Sequence, residues 1–200
     1  MKKALVVLLS LVILVGFAVS TASAGVYVSG NLGASFLMHP DFNEDGHSGK
    51  FTFKGGGAAT IALGTSIFNG ARIEAEIGAR KNDLDDVKFA GLGSSSIDGD
   101  VTTTSFMGNV YYDFENETPF ITSIGGGLGV ANVDYDFDDF SNDDDTVAAY
   151  QLMLGVGYPV TKQIVVELQY RFFGTADPDI DGHDLEYYSH NVLLGLRYRF

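Results

Sequence analysis

Ionisable residues recur at even spacings in three short stretches: Arg72, Glu74, Glu76 and Arg80; Glu167 and Arg171; Arg197 and Arg199. On an extended strand, residues two and four apart share one face. If that face is enclosed, the opposite charges must pair, because an unpaired buried ion is costly. Two kinds of chemistry follow. The charges either lock together as an ion-pair plug, or line a narrow gated path for ions. The plug is the expected outcome where the enclosed space is only as wide as its own side chains.

A second pattern is acidic. Asp177, Asp179 and Asp181 precede Gly182, and Asp41, Asn43 and Asp45 precede Gly46. Alternate oxygen donors with a glycine at the sixth position let one tight turn aim several oxygens at a hard cation, so these are candidate Ca²⁺ ligands. The twelfth positions are Thr52 and Tyr188 rather than an acid, and no helices flank either run, so neither is an EF-hand. No other cofactor is required. Catalysis finds less support. Of the histidines, His39, His47 and His183 fall in polar connections, and His190 neighbours Ser189 with Glu186 close by. Adjacent strand residues point to opposite faces, so Ser189 and His190 cannot act as nucleophile and base together. The glycine runs Gly55–Gly57 and Gly125–Gly129 open no helix, as a phosphate loop must. The chain is expected not to be an enzyme.

The elements that position the charges are strands. Alternation with period two recurs in eight segments of about ten residues, clearest at 26–36, 71–80, 164–172 and 188–200, and softer at 51–67, 101–114, 119–134 and 147–160. On the last, Tyr188, His190, Val192, Leu194, Leu196, Tyr198 and Phe200 oppose Ser189, Asn191, Leu193, Gly195, Arg197 and Arg199. Connections alternate in length. Asn69-Gly70, Glu115–Thr118 and Thr161-Lys162 are short, and Asn-Gly suits a tight hairpin. Those at about 38–50, 82–100, 135–146 and 174–186 are long and hold most of the 26 acidic residues. Tyr and Phe gather near the strand ends, as they do in the two girdles of membrane barrels.

Lys2 and Lys3, an apolar run from Ala4 to Val19 and the exit Ala22-Ser23-Ala24 form a secretory signal peptide, expected to span 1–24. The mature barrel would then cover 25–200. Cysteine is absent, so an exported chain must rely on hydrogen bonding and burial. The net charge of −14, or −16 without Lys2 and Lys3, excludes nucleic acid as a partner. The expected fold is all-β: an eight-stranded antiparallel up-and-down transmembrane barrel in a bacterial outer membrane. An even strand count puts both mature termini on the periplasmic side and the long connections outside. Eight strands leave a lumen that side chains just fill.

The closing stretch from His190 to Phe200, and Gly70–Gly78 after the first short turn, resemble the opacity-protein and surface-antigen family of small porin-like outer-membrane barrels. The resemblance implies a structural or surface-interaction role, such as an adhesin or antigen, acting through acidic extracellular loops. It also implies that Tyr198 and Phe200 form the signal read by the outer-membrane assembly machinery. The partners expected are outer-membrane lipid, lipopolysaccharide bridged to the acidic loops by divalent ions, and an external ligand or host factor. The barrel is expected to be a monomer. The alternatives are a narrow ion or small-solute channel and, behind it, a lipid-modifying enzyme.

Overall fold

The computed structural model describes residues 25–37, 41–44, 47–53, 55–89, 93–95, 99–114, 117–137, 143–176, 179–180, 183–184 and 188–200, with side chains for those outside 41–53, 83–100, 135–145 and 179–184. The expected signal peptide at 1–24 lies outside these residues.

Eight long strands form the wall: β1 (Val26–Leu37), β2 (Gly56–Phe68), β3 (Ala71–Phe89), β4 (Gly99–Phe114), β5 (Ile121–Phe137), β6 (Asp143–Pro159), β7 (Ile164–Thr175) and β8 (Tyr188–Arg199). Each pairs antiparallel with its sequence neighbours, and β1 pairs with β8, so the sheet closes into the expected barrel. The first turn is tight because Gly70 adopts φ 75°, a left-handed conformation that glycine takes without steric cost. Its carbonyl accepts a hydrogen bond from Asp113 N at 2.7 Å, tying the turn to β4.

The pairing is staggered. The partners of Val26 run through Thr65, Ile73, Val110, Gly126, Leu152, Phe172 and His190 and return to β1 at Phe36, ten residues from the start. Such a stagger in eight strands corresponds to a tilt of roughly 40° and an interior only as wide as its side chains.

Burial is inverted relative to a soluble protein. Leu32, Ile61, Leu128, Leu152, Leu168, Leu194 and Leu196 are outward and exposed, Leu128 by 74%. Arg72, Glu74, Glu76, Arg80, Arg171 and Arg197 are inward and buried. An apolar belt this extensive is stable only against lipid. Aromatics flank it, with Phe68, Tyr112, Phe114, Phe120, Tyr158, Tyr198 and Phe200 near the short turns. Phe36, Tyr150 and Tyr170 are exposed toward the long connections.

The wall is taller on one side than the alternation implied. Residues 82–100 were expected as a connection, yet β3 continues to Phe89 and β4 begins at Gly99. A short strand His47–Phe53 pairs with one edge of this extension, and Gly93–Ser95 pairs with the other. Asp41–Glu44 folds back on His47–Phe53 as a hairpin. Backbone pairing needs no lipid, so it persists past the belt after hydrophobic alternation has ended.

Candidate functional site

The lumen is built in tiers. At the short-turn end, Arg72 of β3 lies among three strands: its Nη1 is 2.9 Å from Glu74 Oε1 and its Nε 2.9 Å from Asp113 Oδ2 of β4. Its Nη1 also donates to Tyr27 Oη of β1 at 2.9 Å, and Tyr27 donates to Glu74 Oε1 at 2.8 Å. Arg197 of β8 reaches the same Asp113 at 3.3 Å. Its Nη2 sits 2.7 Å from Glu167 Oε1 of β7, a charge contact poorly aligned as a hydrogen bond. The Arg72 guanidinium lies 4.4 Å from the Tyr111 ring centroid, adding a cation–π contact to the tier.

The next tier centres on Arg171 and Glu76, whose side chains are both 0% exposed and meet at 2.6 Å between β7 and β3. Gln169 joins the tiers, donating to Glu167 Oε2 at 2.9 Å and accepting from Arg171 Nη2 at 2.9 Å. Gln151 of β6 donates to Glu76 Oε1 at 3.1 Å and to Asn109 Oδ1 at 2.8 Å. One connected polar network therefore crosses the lumen from six strands. Above it the filling turns apolar, with Val101, Met107, Ala131, Val133, Val147, Ala149 and Phe173 in one buried cluster. Arg80 covers this cluster, its guanidinium 3.8 Å from the Phe173 ring centroid and its Nη1 donating to Ser105 Oγ at 3.0 Å.

The two strands absent from the network, β2 and β5, supply its room. Their inward positions are largely small: Ala58, Ala62 and Gly64 on β2, and Gly125, Gly127, Gly129 and Ala131 on β5. A Cβ on Gly64 would strike the Tyr27 ring, and one on Gly125 would come within 2.5 Å of Tyr111 Cδ1. Each tyrosine lies across its cross-strand glycine partner. Glycine here makes space for a large neighbour.

Of the eight lumen residues singled out from spacing, Arg72, Glu74, Glu76, Glu167, Arg171 and Arg197 are brought together. Arg80 stands in the upper tier, away from them. Arg199 lies at the short-turn mouth, is only half-buried, and makes no ion pair among the described residues. The selection of charges by spacing left out Asp113, which bridges two arginines, and Asn109 and Gln151. Tyr27 and Gln169 fall on the inward faces of their alternating strands but carry no charge and were not singled out. Strict alternation through β4 would have found Asp113, since Asn109, Tyr111 and Asp113 all face inward.

Ser189 is buried toward the lumen, where Asn191 Nδ2 donates to its Oγ at 3.2 Å. His190 points outward, its Nδ1 2.6 Å from Tyr170 Oη. The two therefore do not form a nucleophile–base pair. For the candidate calcium ligands, Asp41, Asn43 and Asp179 are described only as backbone, and Asp45, Asp177 and Asp181 lie outside the described residues. Tyr198 on the last strand and Phe200 just after it are exposed, their ring centroids 5.3 Å apart.

A sequence model described as "Outer membrane protein beta-barrel domain" matches residues 4–200. Outer membrane protein PagN of Salmonella typhimurium is 24% identical over 226 residues, covering 92% of this chain and 93% of PagN. The crystal structure of Neisserial surface protein A superposes with a TM-score of 0.64 at 18% identity, covering 88% of this chain and 97% of that one. Ail, the attachment invasion locus protein of Yersinia pestis, was solved in complex with the heparin analogue sucrose octasulfate. It matches with a TM-score of 0.53 at 13% identity, covering 90% and 100%.

Proposed function

Because the chain belongs to the outer membrane protein β-barrel domain family, and so resides in a bacterial outer membrane, we propose that its barrel is a closed anchor presenting a surface-interaction module. The long connections form that module and face outward, and both mature ends face the periplasm. The observation that carries this reading is the crossed lumen: two ionic tiers and an apolar tier occupy the space a solute would need. With the interior given over to holding the wall closed, recognition falls to the connections, which hold most of the acidic residues.

That charge selects the chemistry of the partner. Ail was crystallised with a polyanion, a ligand class that acidic connections repel. This chain suits a cationic partner, either a basic protein surface or an anionic surface bridged by divalent ions. Attachment should weaken as salt is raised through the physiological range, because exposed charges are screened over about 8–10 Å there.

The test is electrical and topological. In planar bilayers the barrel is expected to show no stable conductance steps, and Glu167→Ala should stay silent, since Gln169 and Arg171 still fill the section. Steady openings in the unaltered protein would overturn the closed-anchor reading in favour of the channel. An epitope inserted after Gly182 should be labelled on intact cells, and one at Lys162 only after the outer membrane is permeabilised. The reverse pattern would overturn the orientation.

A further inference from the structure

The outer wall is not uniformly convex. A groove of about 590 Å³ runs over β5, β6, β7 and β8, walled by Ile124, Leu154, Val156, Leu168, Tyr170 and Val192. Between these outward side chains its floor is formed at Ser123, Gly155 and Gln169, whose side-chain positions face the lumen. The volume lies within the roughly 300–1,000 Å³ typical of small-ligand sites. The wall residues are outward members of the belt, five of them well exposed: Ile124, Leu154, Val156, Leu168 and Val192. The groove therefore opens sideways into the bilayer, where the surrounding molecules are acyl chains.

One end of this groove is polar. Tyr170 lines it, and the same residue's hydroxyl lies 2.6 Å from His190 Nδ1 on β8. When Tyr170 donates, Nδ1 is bare and the imidazole proton sits on Nε2, on the far edge of the ring, ready for another acceptor. Phe172 and Tyr188 pack beside the pair, with ring centroids 5.7 Å apart and Phe172 5.5 Å from His190. An apolar trough leading to a hydrogen-bond donor framed by aromatics matches a molecule with one long apolar tail and an acceptor at its head.

We propose that this groove seats one acyl chain of a lipopolysaccharide molecule, with His190 and Tyr170 engaging the ester or phosphate oxygens of its head. The choice of lipopolysaccharide over phospholipid rests on its head, which offers phosphates together with several ester and amide carbonyls to this donor, and, in the cell, on the orientation proposed above. His190 lies toward the connection at 176–187, so the head belongs to the outer leaflet.

The experiment is native mass spectrometry of the full-length barrel, extracted in mild detergent and incubated with lipid A or with phosphatidylglycerol. One lipid A is expected to remain per barrel, with roughly fivefold preference over phosphatidylglycerol. Val192→Trp, which fills the head end of the groove, should abolish retention. His190→Leu should lower it about tenfold while leaving the circular-dichroism melt unchanged, the scale of one lost hydrogen bond to a charged acceptor. Val156→Phe, lower in the groove, repeats the test if the tryptophan variant fails to fold. Absence of retained lipid, retention undiminished by the filling variants, or equal retention of phosphatidylglycerol would overturn the proposal. Retention in micelles does not depend on how the barrel sits in a cell, so a failed epitope experiment and a failed lipid experiment remain distinguishable.

Discussion

Replacing Arg171 with alanine is expected to destabilise the barrel by about 3–5 kcal/mol, the cost of stranding one partner of a buried ion pair. Glu76 would be left 0% exposed with its charge opposed by no cation at contact distance, keeping only the Gln151 hydrogen bond. Gln169 would also lose the two donors it accepts from Arg171. The loss should show as a lower urea midpoint for the barrel in lipid vesicles. Circular dichroism is the suitable probe, because the chain contains no tryptophan. Glu76→Leu combined with Arg171→Met removes both charges together, and this pair should cost less than Arg171→Ala alone. If the double variant is the weaker of the two, the pair contributes more than mutual neutralisation. Arg199→Ala provides the contrast. Its half-exposed guanidinium makes no ion pair among the described residues, and the change should fall within about 1 kcal/mol.

The second large effect concerns a residue with no side chain. Gly64→Val puts a branched group where the Tyr27 ring lies. Tyr27 cannot simply turn aside, because its hydroxyl is held between Arg72 and Glu74 at 2.9 and 2.8 Å. Overpacking costs about 1–3 kcal/mol, and losing hydrogen bonds to charged groups about 1.5–3 kcal/mol. The combined loss should approach about 4 kcal/mol. Tyr27→Phe, which keeps the ring and drops only the hydroxyl, should lose no more than the second part. The companion variant Gly64→Val with Tyr27→Ala should recover stability, because the smaller side chain vacates the position the valine needs. No recovery in the double variant would show that the glycine serves the backbone instead.

These variants also show where the sequence is readable. Between Ala71 and Arg80 the alternation is unambiguous, because lipid constrains one side of every residue pair and the narrow lumen constrains the other. The six charges that meet in the interior were legible for that reason. Asp113 was not, since it stands near a short turn, where an acid has an ordinary solvated explanation. The glycines of β5 obscured that strand's pattern, since the room they leave is evident only once Tyr111 and Asn109 are seen across from them. The upward extension of β3 was hidden differently. From Asp83 to Phe89 the sequence is acidic and irregular, because above the belt neither face must be apolar and only backbone pairing with its neighbours sustains the strand. Partner recognition is the least legible property, since the connections answer to no periodic constraint at all.

The seam between β1 and β8 has a consequence for how such a barrel can be encoded. Phe200 N donates to Val26 O at 3.0 Å, and Tyr27 stands opposite Arg199, so the two ends of the described wall are immediate neighbours. The seam is another antiparallel pairing, and its register is continuous where that of β2 with β3 shifts between Ser66 and Phe68. A gene that joined these ends through a short turn and opened at any long connection would specify the same cylinder with its strands written in a different order. The starting point of the reading frame is thus a free choice as far as the closed wall is concerned. The long connections become the natural places to cut, splice or graft, since a new break there interrupts neither the ionic tiers nor the belt.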